Sequence, residues 1–274
     1  MKKLLLAVPF ITILTACGPT KVAKETGACH PYDLQVEPGD EQLTVRWKSD
    51  CGQLISGYDI FIQRQPVLSR SSSNPYNEVS PHNQVPYPGD TNPDDEYLTY
   101  EAKGLENGVK YWVSVCAVYS DRTLSTPTKE VMTACGPRGD IDLAVRYSGG
   151  HDGYNFSQAR YVEADELSND LYYWNQNGTD YIDAPTHLDG FLRKTRFTRL
   201  DVRGDLNDAI AYVDSKSPVP DQDRVAVKKG DWLLVKTNDN NFVLVQVLSF
   251  AGEGDKRQVK LFFAFSSIPN QLVL

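Results

Sequence analysis

Trp232-Leu233-Leu234-Val235-Lys236, Phe242-Val243-Leu244-Val245-Gln246-Val247-Leu248 and Val259-Lys260-Leu261-Phe262-Phe263-Ala264-Phe265 are three apolar runs of strand length. Between them stand Asn238-Asp239-Asn240-Asn241 and Gly252-Glu253-Gly254-Asp255. Runs this short, rich in β-branched and aromatic residues, read as strands, and Asn and Gly in the gaps tolerate left-handed backbone, so the stretch predicts an antiparallel meander. Upstream, Ile141, Leu143, Val145 and Tyr147 alternate with polar residues and predict another strand. Asp170-Leu171-Tyr172-Tyr173-Trp174 and Tyr181-Ile182 flank Asn177-Gly178, a hairpin signal. Only Leu206–Val213 has helical spacing: Leu206, Ala209, Ile210 and Val213 share a face behind Asp205, a capping residue. With 15 Tyr, 10 Phe, 19 Gly, 16 Pro and 2 Met, the composition is that of an exported all-β protein.

Cys135-Gly136-Pro137-Arg138-Gly139 is a breaker-rich hinge. Residues 140–274 form a cysteine-free β module with at most one short helix, whereas Cys29, Cys51, Cys116 and Cys135 all fall in 29–136. In this first module Leu34-Gln35-Val36, a Pro38-Gly39-Asp40 turn and Leu43–Trp47 make a hairpin. Ile55–Ile62, the run through Val113, Val115 and Ala117, and Thr123–Thr133 supply further strands. Residues 65–97 carry six prolines and no periodicity, the mark of a binding loop or an inert excursion. Tyr76 and Tyr87 among those prolines would offer an extended recognition surface, if the stretch binds anything.

The order of pieces in 29–136 resembles the fibronectin type III domain: Trp47 in the second strand, Gly57-Tyr58 opening the third, Leu105 six residues before Tyr111, and Ser125-x-Pro127. The resemblance implies a sandwich of two antiparallel sheets, with Trp47 packed between them and Tyr111 tying the corner before its strand. Four cysteines in an exported chain imply two disulfides, with three possible pairings. With the hairpin turn on Gly39 and Asp40, Val36 faces Leu43, and Cys29 comes beside Asp50 and Cys51. That is near the roughly 5.5 Å backbone spacing of a bridge. Cys116–Cys135 would follow by elimination, and Cys51–Cys116 is the rival.

At the N-terminus, Lys2-Lys3, an apolar run from Leu4 to Leu14, and Thr15-Ala16 lead into Cys17. The apolar run is too short to span a bilayer. The pattern resembles the lipobox signal peptide of bacterial lipoproteins. That implies removal of residues 1–16, acylation of Cys17 with diacylglyceryl and palmitate-type chains, and a small, polar tether over 17–28. Gly18, where an aspartate would mean inner-membrane retention, implies anchorage in the outer membrane. The formal charge of −8, two units more negative after loss of Lys2 and Lys3, argues against nucleic acid as a partner. It also argues against direct adhesion to anionic lipid, so the membrane partner is reached through the anchor.

No nucleophile elbow, zinc-protease helix, Cys-x-x-Cys or phosphate loop occurs, so no catalytic residue is assigned and the chain reads as non-enzymatic. Asp94-Asp95-Glu96 and Asp221-x-Asp223 have oxygen ligands suited to calcium, but read as solvated acidic loops. Arg193, Arg196 and Arg199, in a run ending at Arg203, could grip lipopolysaccharide phosphates or an acidic partner, or form a strand face balanced by carboxylates. Val235-Lys236-Thr237 through the last strand resembles the C-terminal hairpins of HmuY-type haem-binding lipoproteins. That resemblance implies haem held by paired histidines, here His151 and His187, in a module where both otherwise read as loop residues. The expectation is an envelope protein with a binding, adhesion or structural role and a protein or glycan partner. The alternatives are a small-ligand or haem carrier, and an accessory to glycan or peptidoglycan processing.

Overall fold

The computed structural model describes residues 29–51, 55–69, 75–89, 95–188, 190 and 193–274. Cys17, with the expected leader and tether, lies outside the described residues. The described chain is all-β: four antiparallel sheets and one α-helix. The first module has β1 (Tyr32–Gly39), β2 (Gln42–Lys48), β3 (Ile55–Gln63), β4 (Leu98–Lys103), β5 (Lys110–Tyr119) and β6 (Val131–Ala134). They form two three-stranded sheets, β1-β2-β4 and β3-β5-β6, which face each other as a sandwich around Trp47, Ile60, Tyr111, Val113 and Val115. Trp47 is fully buried, and the Tyr111 hydroxyl accepts from the Glu106 N–H at 2.9 Å, closing the corner before β5.

The β1–β2 register differs from the expected one. Gly39 pairs with Gln42 and Val36 with Val45, so the turn is centred on Asp40 and Glu41, with Glu41 taking the left-handed φ of 53°. A bulge between Tyr32 and Gln35 then shifts the ladder by one residue, and Tyr32 pairs with Lys48. Extended by three, that register sets Cys29 opposite Cys51, and the two are bridged with a Cα–Cα distance of 4.9 Å. The bulge supplies the side-chain parity that a regular hairpin would miss.

The second expected disulfide is absent, and so is its rival: Cys116 and Cys135 are free and buried. Ala134 pairs with Lys110, six residues down β5 from Cys116, a separation of roughly 20 Å at about 3.3 Å per residue. Cys116 also points to the outer face of its sheet, with Phe61, Val67 and Tyr76, while Cys135 lies in the sandwich core. Burial pushes the Cys116 thiol up to about 12 and the Cys135 thiol up to about 11.

Within the 65–97 excursion, Val67, Tyr76 and Val79 pack onto that outer face, while residues 82–87 run along the edge of β3. Tyr58 and Tyr87 exchange backbone hydrogen bonds at 2.8 and 2.7 Å, and the buried Asn83 side chain accepts from the Ile60 N–H at 2.8 Å and donates to the Tyr58 carbonyl at 2.9 Å. Tyr76 is buried edge-on to Phe61, and the Tyr87 ring packs edge-on to Trp47. Tyr76 is therefore a core residue, and Tyr87 is partly buried with its ring turned against the sandwich core.

The second module comprises β7 (Arg138–Ala144), β8 (Gly153–Asn155), β9 (Arg160–Val162), β10 (Leu171–Gln176), β11 (Thr179–Asp183), β12 (Arg196–Leu200), α1 (Leu206–Lys216), β13 (Arg224–Ala226), β14 (Trp232–Lys236), β15 (Phe242–Ala251) and β16 (Gln258–Phe265). Two five-stranded sheets, β13-β11-β10-β8-β9 and β12-β14-β15-β16-β7, enclose one core. Leu171, Tyr173 and Ile182 meet Phe197, Leu233, Val245 and Phe263 there. The far side of the second sheet, with Trp232, Leu234 and Leu244, is covered by α1 and by Leu272 and Leu274. Burial on both faces explains why Trp232–Val235 is continuously apolar instead of alternating. The helix runs three residues beyond the expected Val213. Asp205 accepts from the Asn207 and Asp208 N–H groups, and Asp208 accepts from the Asp205 N–H, a complete capping box. The modules meet closely at Gly136, where a Cβ would lie 2.2 Å from the Phe265 carbonyl oxygen, so only glycine fits.

Candidate functional site

The outer face of the β13-β11-β10-β8-β9 sheet differs from its helix-covered counterpart. The β10–β11 hairpin closes through Asn177 and Gly178, both left-handed (φ 53° and 79°), as two-residue hairpins require. Its register puts Trp174 opposite Tyr181 and Tyr172 opposite Asp183, all on the outer face, while Leu171 and Tyr173 point into the core. Arg224 enters from β13 opposite Asp183 and grips its fully buried carboxylate with two hydrogen bonds, Nε–Oδ1 at 2.8 Å and Nη2–Oδ2 at 2.6 Å. That carboxylate raises the Arg224 pKa against the opposing effect of burial. The Arg224 guanidinium lies 5.3 Å from the Trp174 ring centre and 5.0 Å from that of Tyr181.

A second arginine reaches the same ring from β7. The strand stops at Ala144, short of the expected Tyr147, and Arg146 donates its N–H to the Tyr173 carbonyl at 3.0 Å. Its guanidinium sits 4.4 Å from the Tyr147 ring, 5.2 Å from Tyr172 and 5.6 Å from Trp174. Tyr147 itself is left-handed (φ 69°) and 77% exposed, an unfavourable backbone state for a bulky residue that buries little. Its ring meets Trp174 at 89° with centres 6.4 Å apart. The outcome is a ledge in which Tyr147, Arg146, Trp174, Arg224 and Tyr181 alternate ring and cation.

Beside the ledge opens a cleft of about 320 Å³, lined by Arg146, Tyr147, Gly150, Asp152, Glu163 and Asp165 among others. Asp152 is buried and accepts from the Ala164 N–H at 2.6 Å; burial raises its pKa, and that hydrogen bond opposes the rise. Among the described residues no carboxylate forms an ion pair with Arg146. A larger cleft, about 530 Å³, follows the seam between modules, with Val36, Arg46, Arg138, Leu206, Ile210 and Leu274 on its walls. Its half-buried arginine, Arg138, is lowered in pKa by burial and pairs with Glu37 at 3.6 Å, so its charge joins one module to the other.

The expected site residues fall elsewhere. His151 is exposed, stacks on Tyr161 at 5.3 Å and places Nδ1 3.7 Å from Glu163. His187 ends a short 3-10 turn, Pro185–His187, and its side chain lies outside the described residues. Arg193 binds the buried Asp170 at 2.6 Å and Asp239 at 3.2 Å, Arg196 donates to the Thr195 carbonyl at 3.1 Å, and Arg199 donates to the Ala226 carbonyl and sits 3.6 Å from Asp231. The basic run is thus a strand face tied to its own carboxylates and carbonyls. Of the acidic candidates, Asp94 lies outside the described residues and Glu96 pairs with Lys48 at 2.5 Å. No cluster of three or more His, Cys, Asp or Glu suited to a metal occurs among the described residues. Sequence reasoning missed Arg146, Tyr147, Asp152, Trp174 and Arg224. Only the outward parity of Trp174 in an otherwise buried strand could have signalled them.

No known family profile matches the chain, and no curated protein matches it. The family 28 exopolygalacturonase of Yersinia enterocolitica is similar to it over 39% of this chain, with 23% sequence identity and a TM-score of 0.25. The match covers 20% of that enzyme's chain, and a likeness at this level carries no argument about function.

Proposed function

We propose that the chain is a lipid-anchored cell-envelope protein with a non-enzymatic binding role, held in the outer membrane through acyl groups on Cys17. The lipobox-like Leu14-Thr15-Ala16-Cys17 supports the anchor. The observation that carries the binding role is the ledge: a strained, exposed Tyr147 and a half-buried Trp174 stand over a polar cleft on the sheet face that no helix covers. Large exposed aromatic residues with convergent polar groups mark binding surfaces more often than they serve folding. The first module is the spacer that lifts this face from the membrane, and its tether joins it at the Cys29–Cys51 bridge. Mass spectrometry of native material should find acyl groups on an N-terminal Cys17. Crosslinking from intact cells followed by surface proteolysis should recover an envelope partner and report which side of the membrane the ledge faces. A mature N-terminus beyond position 17, or a free thiol there, removes the anchor and the location.

A further inference from the structure

The cleft beside the ledge contains contradictory charge for any ionic ligand. Arg146 already covers one face of Tyr147 and lies against Tyr172 and Trp174, so a cationic ligand would find the rings occupied by a like charge. Asp152, Glu163 and Asp165 line the same opening and would repel an anion. What remains attractive is a neutral molecule with apolar faces and many hydroxyl groups. A carboxylate accepts two hydroxyl donors at once, a guanidinium donates to the neighbouring hydroxyl oxygens, and an exposed ring covers the C–H face of a pyranose. The cleft volume of about 320 Å³ lies at the small end of ligand sites, which run from roughly 300 to 1,000 Å³, so it takes only a short stretch of an oligosaccharide.

We infer that the cleft formed by Arg146, Tyr147, Asp152, Glu163 and Asp165 binds a neutral carbohydrate, with Tyr147 as the stacking ring and the charged groups as hydroxyl partners. This deepens the reading of the chain as an envelope binding protein by naming the ligand class. Tyr147 stacks with its solvent-facing side, the side away from Arg146. The Arg146 guanidinium is held in place from behind by Tyr172 and Trp174 and keeps its N–H groups for the ligand. Asp152 is fixed by the Ala164 N–H and acts as the innermost acceptor.

The test is calorimetric titration of the mature full-length protein with cellohexaose, chitohexaose, mannohexaose and galactohexaose. Tetramethylammonium and inorganic phosphate serve as the cationic and anionic competitors. At least one hexasaccharide should bind with a Kd below about 1 mM, and Tyr147→Ala should weaken it about tenfold or more, equivalent to about 1.4 kcal/mol. Its melting temperature should stay unchanged, because the side chain buries little. Glu163→Gln should weaken binding by a smaller factor and give the same melting temperature. The inference is overturned if no hexasaccharide binds with a Kd below about 1 mM, if Tyr147→Ala leaves the affinity intact, or if either ion binds more tightly than the sugars. If the sugars fail while crosslinking still captures an envelope partner through the ledge, only the carbohydrate assignment falls. If Cys17 proves unacylated while the sugars bind, only the envelope reading falls.

Discussion

The Cys29–Cys51 bridge closes a loop with a sequence separation of 22 residues, at the N-terminal edge of the first module's described residues. In the loop-entropy treatment, releasing such a loop frees the unfolded chain by about 3.4 kcal/mol at 25 °C. The folded geometry around the bridge has independent support: the Tyr119 hydroxyl donates to the Cys29 carbonyl at 2.6 Å, and β1 remains paired with β2 up to Tyr32 and Lys48. Cys29→Ser/Cys51→Ser should therefore lose stability chiefly through the unfolded state and keep the native fold. Urea unfolding followed by tryptophan fluorescence registers the loss of packing at Trp47 in this module's core, alongside the signal of Trp174 and Trp232 from the second module. A stability loss of about 3 kcal/mol, with a somewhat steeper denaturant dependence from the more expanded unfolded chain, is the expected result. In the parent protein, Cys116 and Cys135 should resist alkylation at pH 8 until the chain unfolds, since burial holds both as thiols. A loss below about 1 kcal/mol, or peptide mapping that places Cys116 or Cys135 in a bridge, would refute the reasoning.

Three further outcomes test the packing of the two modules. Tyr111→Phe removes the acceptor of the Glu106 N–H and should cost about 1 kcal/mol in the same urea assay, with the fold intact by circular dichroism. Arg224→Ala strands the fully buried Asp183 carboxylate and should cost roughly 3–5 kcal/mol. Adding Asp183→Asn should recover part of that loss in a double-mutant cycle. Burial tends to raise Asp180, but hydrogen bonds from Arg257 at 2.7 Å, Tyr173 at 2.5 Å and Asn175 at 2.7 Å outweigh it and hold the carboxyl below its ordinary range. A depressed folded pKa contributes stability above the unfolded value near 3.9, and that contribution is lost as the pH falls through the folded pKa. The stability gap between parent and Asp180→Asn should accordingly be wide near pH 6 and close on acidification below about pH 4.

By itself, the sequence determined most of what depends on neighbours along the chain, though the first hairpin turn falls one residue later than read and β7 ends at Ala144. Apolar strand runs around Asn238–Asn241, the Asn177-Gly178 turn and the Asp205 cap are local patterns, and their strands, turn and helix form as read. Trp47 and Tyr111 were legible only through the resemblance to the fibronectin type III order of strands, which implied the burial and the corner hydrogen bond found here. Only the tertiary structure decided what depends on register and facing. One bulged residue between Tyr32 and Gln35 aligns Cys29 with Cys51, and a bulge has no local signature here. Cys116 and Cys135 stay apart because one faces outward from a sheet and the other inward. Tyr76 turns inward because the outer face of β3 and β5 needs covering, and Tyr87 packs on Trp47 because its segment pairs with the edge of β3, demands no loop sequence announces. The ledge was illegible for the same reason: Tyr147, Trp174 and Arg224 lie far apart along the chain and meet through the pairing of β10, β11 and β13 and the backbone turn at Arg146. Short-range chemistry sets elements, whereas the burial of opposite sheet faces sets which side chains are left in solvent to act.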